Sequence, residues 1–326
     1  MIRRLAALLF VGVLSFGVVS TAIAQEKAPG SGLRISPTRT ELSLDRGKTA
    51  EIKISLKNVS GGDIVAKAAI NDFEADGEQG EPKIIVDRPG QRSGTSIAPL
   101  LSGVKDVPLK KDESKEIKVG VAIPGNASSG AYYGVIRYLA VPAAAATNET
   151  ESGKVSLTAS VATLVLIEVP GNITQQIQLT NIFVYQGDNE KSKSFFTSPP
   201  TRTGIRIKNT GNSFSKPFGR VIVTNSFTGK EVYSYEMNNT TPRNNVLPNT
   251  ARVFTDDIKN VNKPGRYTIT AGISHGSGGE VLTKKTSFWY VPLWMVIVLA
   301  VLLILIILGL FLLFRKIRGS RRNFRR

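Results

Sequence analysis

The stretch Ala50-Glu51-Ile52-Lys53-Ile54-Ser55-Leu56-Lys57-Asn58 alternates, residue by residue, between apolar and polar or charged side chains. In an extended chain, a period of two places Ile52, Ile54 and Leu56 on one face and Glu51, Lys53, Ser55 and Lys57 on the other. That is the pattern of an antiparallel strand lying on a core with its back to water. The pattern returns at 116–124, through Ile117, Val119, Val121 and Ile123, and at 266–273, through Tyr267, Ile269, Ala271 and Ile273. Turn signals separate such runs: Asp45-Arg46-Gly47, Ser60-Gly61-Gly62, Asp76-Gly77, Pro124-Gly125, Asn212-Ser213, Thr228-Gly229 and Pro264-Gly265. Short strands at regular spacing predict an all-β fold of antiparallel sandwiches.

Two halves are visible. Each has a strand ending in Lys-Asn before a glycine turn: Lys57-Asn58 then Gly61, and Lys208-Asn209 then Gly211. Each later has Pro-Gly followed by tyrosine and a strand: Pro124-Gly125 leading to Tyr132-Tyr133, and Pro264-Gly265-Arg266-Tyr267. The expected organisation is two tandem Ig-like sandwiches, residues 33–170 and 171–287, after a short linker at 25–32. Residues 142–153 are of low complexity and read as an exposed loop. Residues 75–103 read as a long irregular segment, of the kind that is often functional.

The ends set the topology. Residues 291–314 form an apolar run of 24, enough for a helix across a bilayer. Seven Lys or Arg and no acid follow it, which predicts a cytoplasmic tail at 315–326. The expected span is 288–314, anchored by Trp289, Tyr290 and Trp294 at the outer border and by Arg315, Lys316 and Arg318 at the inner one. At the other end, Arg3 and Arg4 precede an apolar stretch that closes on Ala22-Ile23-Ala24. This is the pattern of a cleaved signal peptide at 1–24. Together these predict a type I protein of the plasma membrane, with residues 25–287 extracytoplasmic.

Charge and cysteine content narrow the class. The formal net charge is +17, but two of the 42 basic residues lie in the leader and seven in the tail. The ectodomain therefore holds 33 basic residues against 25 acids, a mild excess suited to anionic wall polymer rather than to nucleic acid. The absence of cysteine in an exported chain fits a bacterial surface and removes thiol chemistry.

The opening Ile35-Ser36-Pro37-Thr38-Arg39-Thr40-Glu41-Leu42, followed by Arg46-Gly47, Asn58-Val59-Ser60 and Asp72-Phe73-Glu74-Ala75-Asp76-Gly77, resembles that of the WxL-interacting surface proteins of Gram-positive bacteria. The second half resembles their second domain at Lys208-Asn209-Thr210-Gly211, Asn245-Val246-Leu247-Pro248-Asn249 and Pro264-Gly265-Arg266-Tyr267. The resemblance implies two Ig-like domains, a membrane helix and a basic tail. It also implies a first domain associated with peptidoglycan and a second with WxL-domain proteins. The opening is similar as well to periplasmic pilus chaperones, which lack a membrane helix. No binding residue carries over from either family.

Little in the sequence points to catalysis. His275 is the sole histidine and sits in the turn-rich Ser274-His275-Gly276-Ser277-Gly278-Gly279. No Gly-x-Ser-x-Gly elbow surrounds a serine, and the ligands of a zinc site are missing. A non-enzyme without a cofactor is expected. The acids Asp72, Glu74, Asp76 and Glu78 resemble the start of a calcium loop, but position 12 is Lys83 rather than a bidentate acid. Sequons at Asn58, Asn126, Asn148, Asn172, Asn238 and Asn239 fit turn chemistry equally well. Tyr132, Tyr133, Tyr138, Tyr233 and Tyr235 read as a binding strip or, for at least some of them, as core.

Three functions stay open. The main one is a membrane-anchored surface scaffold or adhesin that binds wall polymer and partner surface proteins. The second is a chaperone-like assembly factor that caps strands of secreted subunits, which requires an unpaired groove strand in the first domain. The third is a non-catalytic subunit of a membrane complex, for which Gly309 is a faint signal.

Overall fold

The structure, a computed structural model, describes residues 32–86, 92–143, 160–188, 191–276 and 280–323, and side chains as far as Arg315. The predicted leader, most of the 25–32 linker and most of the low-complexity loop lie outside the described residues.

The alternating stretch is β3 (Thr49–Asn58), and its burial follows the sequence: Ile52, Ile54 and Leu56 face in, while Glu51, Lys53, Ser55 and Lys57 face water. It lies in a four-stranded sheet of order β1-β3-β9-β7, with β1 (Leu33–Ser36), β9 (Ser114–Ala122) and β7 (Leu101–Ser102). The facing sheet has the order β2-β11-β10-β4-β8. Its strands are β2 (Arg39–Ser43), β11 (Ser160–Val169), β10 (Gly130–Pro142), β4 (Ile64–Asn71) and β8 (Val107–Leu109). Ile54, Leu56, Ile117 and Val119 from the first sheet meet Ile136, Tyr138, Val165 and Ile167 from the second in one core. The chain changes sheets around Pro37: β1 pairs antiparallel with β3, and β2 then pairs parallel with β11.

The second sandwich repeats the plan. Its smaller sheet, β12-β14-β17, comprises β12 (Ile177–Tyr185), β14 (Arg202–Asn209) and β17 (Ala251–Asp257). Its larger sheet, β13-β19-β18-β15-β16, comprises β13 (Phe195–Phe196), β19 (Leu282–Tyr290), β18 (Gly265–Ser274), β15 (Phe218–Asn225) and β16 (Glu231–Met237). Tyr267 and Phe288 stack at 5.5 Å between centroids, and Phe196 meets Phe288 edge-on at 5.7 Å. Around them pack Ile205, Ile207, Val221, Val223 and Ile269.

The paired Lys-Asn signature has a structural cause. Asn58 and Asn209 end β3 and β14, and both are fully buried. The Asn58 amide donates to the carbonyls of Gly62 and Lys110 at 2.8 and 2.9 Å, and its oxygen accepts from Ser60 N. The Asn209 amide donates to Ser213 and Val246 at 2.8 and 3.0 Å, and its oxygen accepts from Gly211 N at 2.9 Å. In each half a side-chain amide satisfies backbone groups of a tight turn that the ladder cannot reach. The preceding lysine only faces water.

Four expectations are corrected. The second sandwich does not end at Ser287, because β19 continues to Tyr290. Phe288 and Tyr290 alternate inward and Trp289 outward, so Tyr290 is a core residue rather than a membrane anchor. The misreading has a simple origin: an aromatic cluster suits a strand end as well as a membrane border. The helix, α1 (Leu293–Asn323), accordingly starts five residues later than expected and continues into the basic tail. Its stretch Leu293–Arg315 is long and apolar enough to cross a membrane. Lastly, the described residues of 75–103 are more ordered than expected. They contain the end of a hairpin of β5 (Phe73–Asp76) and β6 (Glu81–Ile84), and a 3-10 turn at Ala98–Leu100.

Candidate functional site: an open strand edge beside the junction of the sandwiches

The two sandwiches meet through side chains far apart in sequence. Phe73, Val135 and Leu166 of the first pack with Phe214 and Leu247 of the second. Tyr133 stands between Phe73 and Phe214, edge-on to both, at 5.2 and 6.0 Å. Polar bonds rim this contact. Glu41 on β2 accepts from Arg39 and Lys216, and Asn245 donates to it at 3.1 Å. Burial raises the pKa of the Glu41 carboxyl, but the hydrogen bonds from Lys216 and Arg39 outweigh that effect and hold it below the ordinary carboxylate range. Ser213 donates to Glu168, and Ala131 N to Asn212 O at 3.0 Å. Gly130 makes the last contact possible: its φ is +133°, and a Cβ there would sit 2.7 Å from Asn212 O.

The β5–β6 hairpin is a second clamp. Glu78 at its tip takes both Arg206 Nε and Nη2, at 2.7 and 2.5 Å, a bidentate pair across 128 residues of sequence. The hydrogen bond from Arg206 keeps the Glu78 carboxyl below its usual range. Glu78 O also accepts from Val253 N at 2.7 Å, so the tip covers the outer edge of β17.

Two cavities flank the junction. One, of about 390 Å³, is lined by Glu41, Glu168, Phe214, Ser215, Lys216 and Asn245. The other, of about 160 Å³, is lined by Arg39, Phe73, Leu164, Asn245 and Arg252. Arg39 Nε, Ser215 Oγ and Asn245 Oδ1 are buried here without a partner among the described residues, which marks the junction as a place for water or a polar ligand group. Burial and the nearby Arg39 charge lower the pKa of the Arg252 guanidinium.

Beside the junction β11 is half-paired. β10 covers one edge of it from Ser160 to Val169. On the other edge β2 pairs only from Leu164 to Glu168, and Leu164 N donates to Thr38 O at 2.9 Å. Backbone groups of alternate residues point the same way, so those of Ser160 and Ala162 also face this edge. Among the described residues nothing bonds to them there, because the chain has left at Pro37 for the opposite sheet. Among the described residues, this half of the β11 edge is open.

The sequence candidates fare unevenly. The four acids of the calcium-like loop do not converge. Asp72 accepts from Ser93 N and Ser96 Oγ, Glu74 pairs with Lys83 at 3.5 Å, and Glu78 is held by Arg206; Asp76 ends β5. Among the described residues no three acids or histidines gather as metal ligands. An extended strand sets alternate side chains about 6.6 Å apart along one face, which spreads out what a calcium loop would curl around one ion.

The tyrosines form no single strip. Tyr138 is core, its phenol pushed up to about 12 by burial, while Tyr133 belongs to the junction. Tyr132 packs on the first core, and Tyr233 and Tyr235 on the second. His275 follows β18, partly exposed. Asn58 and Asn238 are buried as turn residues rather than offered as glycan acceptors. Trp294 and Arg315 are exposed on α1, and Lys316 and Arg318 lie on its backbone continuation. The Glu78–Arg206 clamp and the open half of β11 escaped the sequence reading, since neither leaves a local signal.

No protein family model and no curated protein matches the chain. Among solved structures, the chain is similar to the class 5 fimbriae chaperone CfaA, at 17% identity and a TM-score of 0.38, over 80% of this chain and 100% of that one. It is similar to the CupB2 chaperone of Pseudomonas aeruginosa at 10% identity and 0.35, over 78% and 100%. The E. coli chaperone DraB matches at 11% identity and 0.32, over 79% and 96%. These are likenesses of fold: an all-β chain of two Ig-like sandwiches, here followed by an apolar helix.

Proposed function

We propose that the chain is a membrane-tethered, extracytoplasmic assembly factor whose first sandwich takes a strand from an exported partner along the open half of β11. The observation that carries this is that, among the described residues, nothing pairs with the Ser160 and Ala162 edge of a strand paired on both sides from Leu164 to Glu168. An extended partner segment laid there gains main-chain hydrogen bonds without a preformed pocket, the mode of β-augmentation. The junction clamps support the reading because they hold the second sandwich fixed beside the edge. α1 would keep the assembly at the membrane, with its basic end in the cytoplasm. The proposed role is non-catalytic.

A second reading is a permanent surface scaffold that binds wall polymer and surface proteins. It is favoured by the two-residue joint, Val291–Pro292, that ties the second sandwich to α1.

The chain has no cysteine, so Ala162→Cys introduces a unique thiol at the edge. A thiol-directed photocrosslinker on it should trap an exported protein in cells. The same probe at Ser234→Cys on β16 should not trap it, and Ala162→Pro, which removes the donor from the edge, should abolish complex formation. Equal trapping at both sites, or an unaffected Pro variant, refutes strand capture. A partner that stays bound after its own assembly is complete favours the scaffold.

A further inference from the structure

Outside α1, the described residues expose five large apolar side chains: Val86, Phe195, Phe227, Val281 and Trp289. The three aromatic ones lie together. Phe195 is in register with Trp289 across the β13–β19 pair, and the Phe227 ring meets Trp289 edge-on at 5.8 Å. They are 50%, 69% and 43% exposed, far more than the surrounding fold requires. Their place matters as much as their exposure. Val291 and Pro292 alone separate β19 from α1, and Val291 N is still bonded to Phe196 O at 2.9 Å. Two residues span at most about 7 Å, so this end of the sandwich is fixed close to the point where α1 begins.

We propose that this end of the second sandwich docks on the outer lipid headgroup layer, with Phe195, Phe227 and Trp289 entering the interface. The inference rests on the reading that α1 spans the membrane, and continues that contact onto the folded domain. Aromatic rings favour the headgroup layer, where one edge is apolar and the other wet. Charge complements them. The loops at this end, 191–201, 226–230 and 258–264, together with Arg266, carry Lys191, Lys193, Lys230, Lys259, Lys263 and Arg266, and in the sequence the acids Asp188 and Glu190 precede the first of them. Arg266 is in register with Trp289 itself. Such a ring suits lipid phosphates and anionic headgroups.

The depth of the patch also fits lipid better than a protein partner. One row above the aromatics, Ser226, Thr268 and Ser287 form a hydroxyl ladder, with Ser226 to Thr268 at 2.8 Å and Thr268 to Ser287 at 3.2 Å. The apolar band is therefore one row deep, as an interfacial contact requires. Docking would hold the sandwich upright, so that the first sandwich and its open edge stand away from the bilayer.

The chain's two tryptophans, Trp289 and Trp294, allow a direct test. The full chain is reconstituted in phosphatidylcholine–phosphatidylglycerol vesicles with brominated acyl chains, in three single-tryptophan forms. The first keeps Trp294, with Trp289→Phe. The second carries Phe227→Trp and the third Val281→Trp, each with both native tryptophans changed to Phe. Val281 precedes the opposite end of β19. The expected result is loss of most emission at 294 and 227, with a blue shift at 227, and unchanged emission at 281. Quenching at 294 without quenching at 227 overturns the docking and leaves the span intact. No quenching at 294 overturns the spanning reading itself. Quenching at 281 as well as at 227 means the sandwich lies on its side, and it too refutes upright docking.

Discussion

Replacing Asn209 by Ala tests how the second sandwich holds its turns. The substitution removes three hydrogen bonds at a side chain that is 1% exposed. The loss is not uniform. Val246 O still accepts from Ser215 N at 3.1 Å, whereas Ser213 O and Gly211 N are left without the partner they had. Two stranded backbone groups in a dry turn, each costing about 1–3 kcal/mol, put the destabilisation on the order of 3 kcal/mol. For a domain of this size that is a fall of roughly 10 °C in Tm. Differential scanning calorimetry of the full chain in detergent micelles should show the effect in one transition only, and Asn58→Ala should lower the other. Lys208→Ala, one residue away and exposed, should stay within about 0.5 kcal/mol. Asn209→Asp keeps the acceptor and loses the donors. It should approach the parent as pH falls, because burial raises the new carboxyl's pKa and its protonated form can donate again. An Asn209→Ala shift no larger than that of Lys208→Ala would refute the argument that these amides fasten the turns.

Two further outcomes concern the junction. Glu41 is held below the usual carboxylate range, so its stabilising effect is complete above its unfolded value of about 4.3 and is lost as pH falls through the lower folded value. Urea midpoints measured from pH 6 to pH 3 should drop in that acid window, and Lys216→Ala should flatten the dependence; an equally steep profile in the variant would count against the assignment. For the Glu78–Arg206 clamp, a double-mutant cycle with Ala at each position should give a coupling on the order of 1 kcal/mol, since the pair is bidentate but partly solvated. A coupling of zero would mean that the hairpin rests on Val253 N alone.

The sequence by itself determined the strands and their inward faces. Period two in 50–58, 116–124 and 266–273 is a local consequence of burying one side of an extended chain, and the structure keeps it residue for residue. The apolar run before the basic tail likewise sufficed for a helix able to cross a membrane, because its length and composition are local properties. The repeated Lys-Asn before glycine marked the same turn in both halves, although the sequence could not say that the asparagine carries the burden and the lysine none.

Only the tertiary structure decided where β19 stops and α1 starts. Aromatic residues at 288–290 satisfy a strand and a membrane border alike, and only packing sends Phe288 and Tyr290 into the core and leaves Trp289 outside. It also dispersed the calcium-like acids, since pairing at 73–76 holds the chain extended and spaces Glu74 and Asp76 along one face instead of curling them around an ion. The junction and the open edge lie beyond any sequence window. Glu78 meets Arg206 across 128 residues, and among the described residues the β11 edge is left open where another strand, far upstream, crosses to the opposite sheet at Pro37. Local pattern is set by which atoms must leave water, while the site is set by which distant segments then lie side by side.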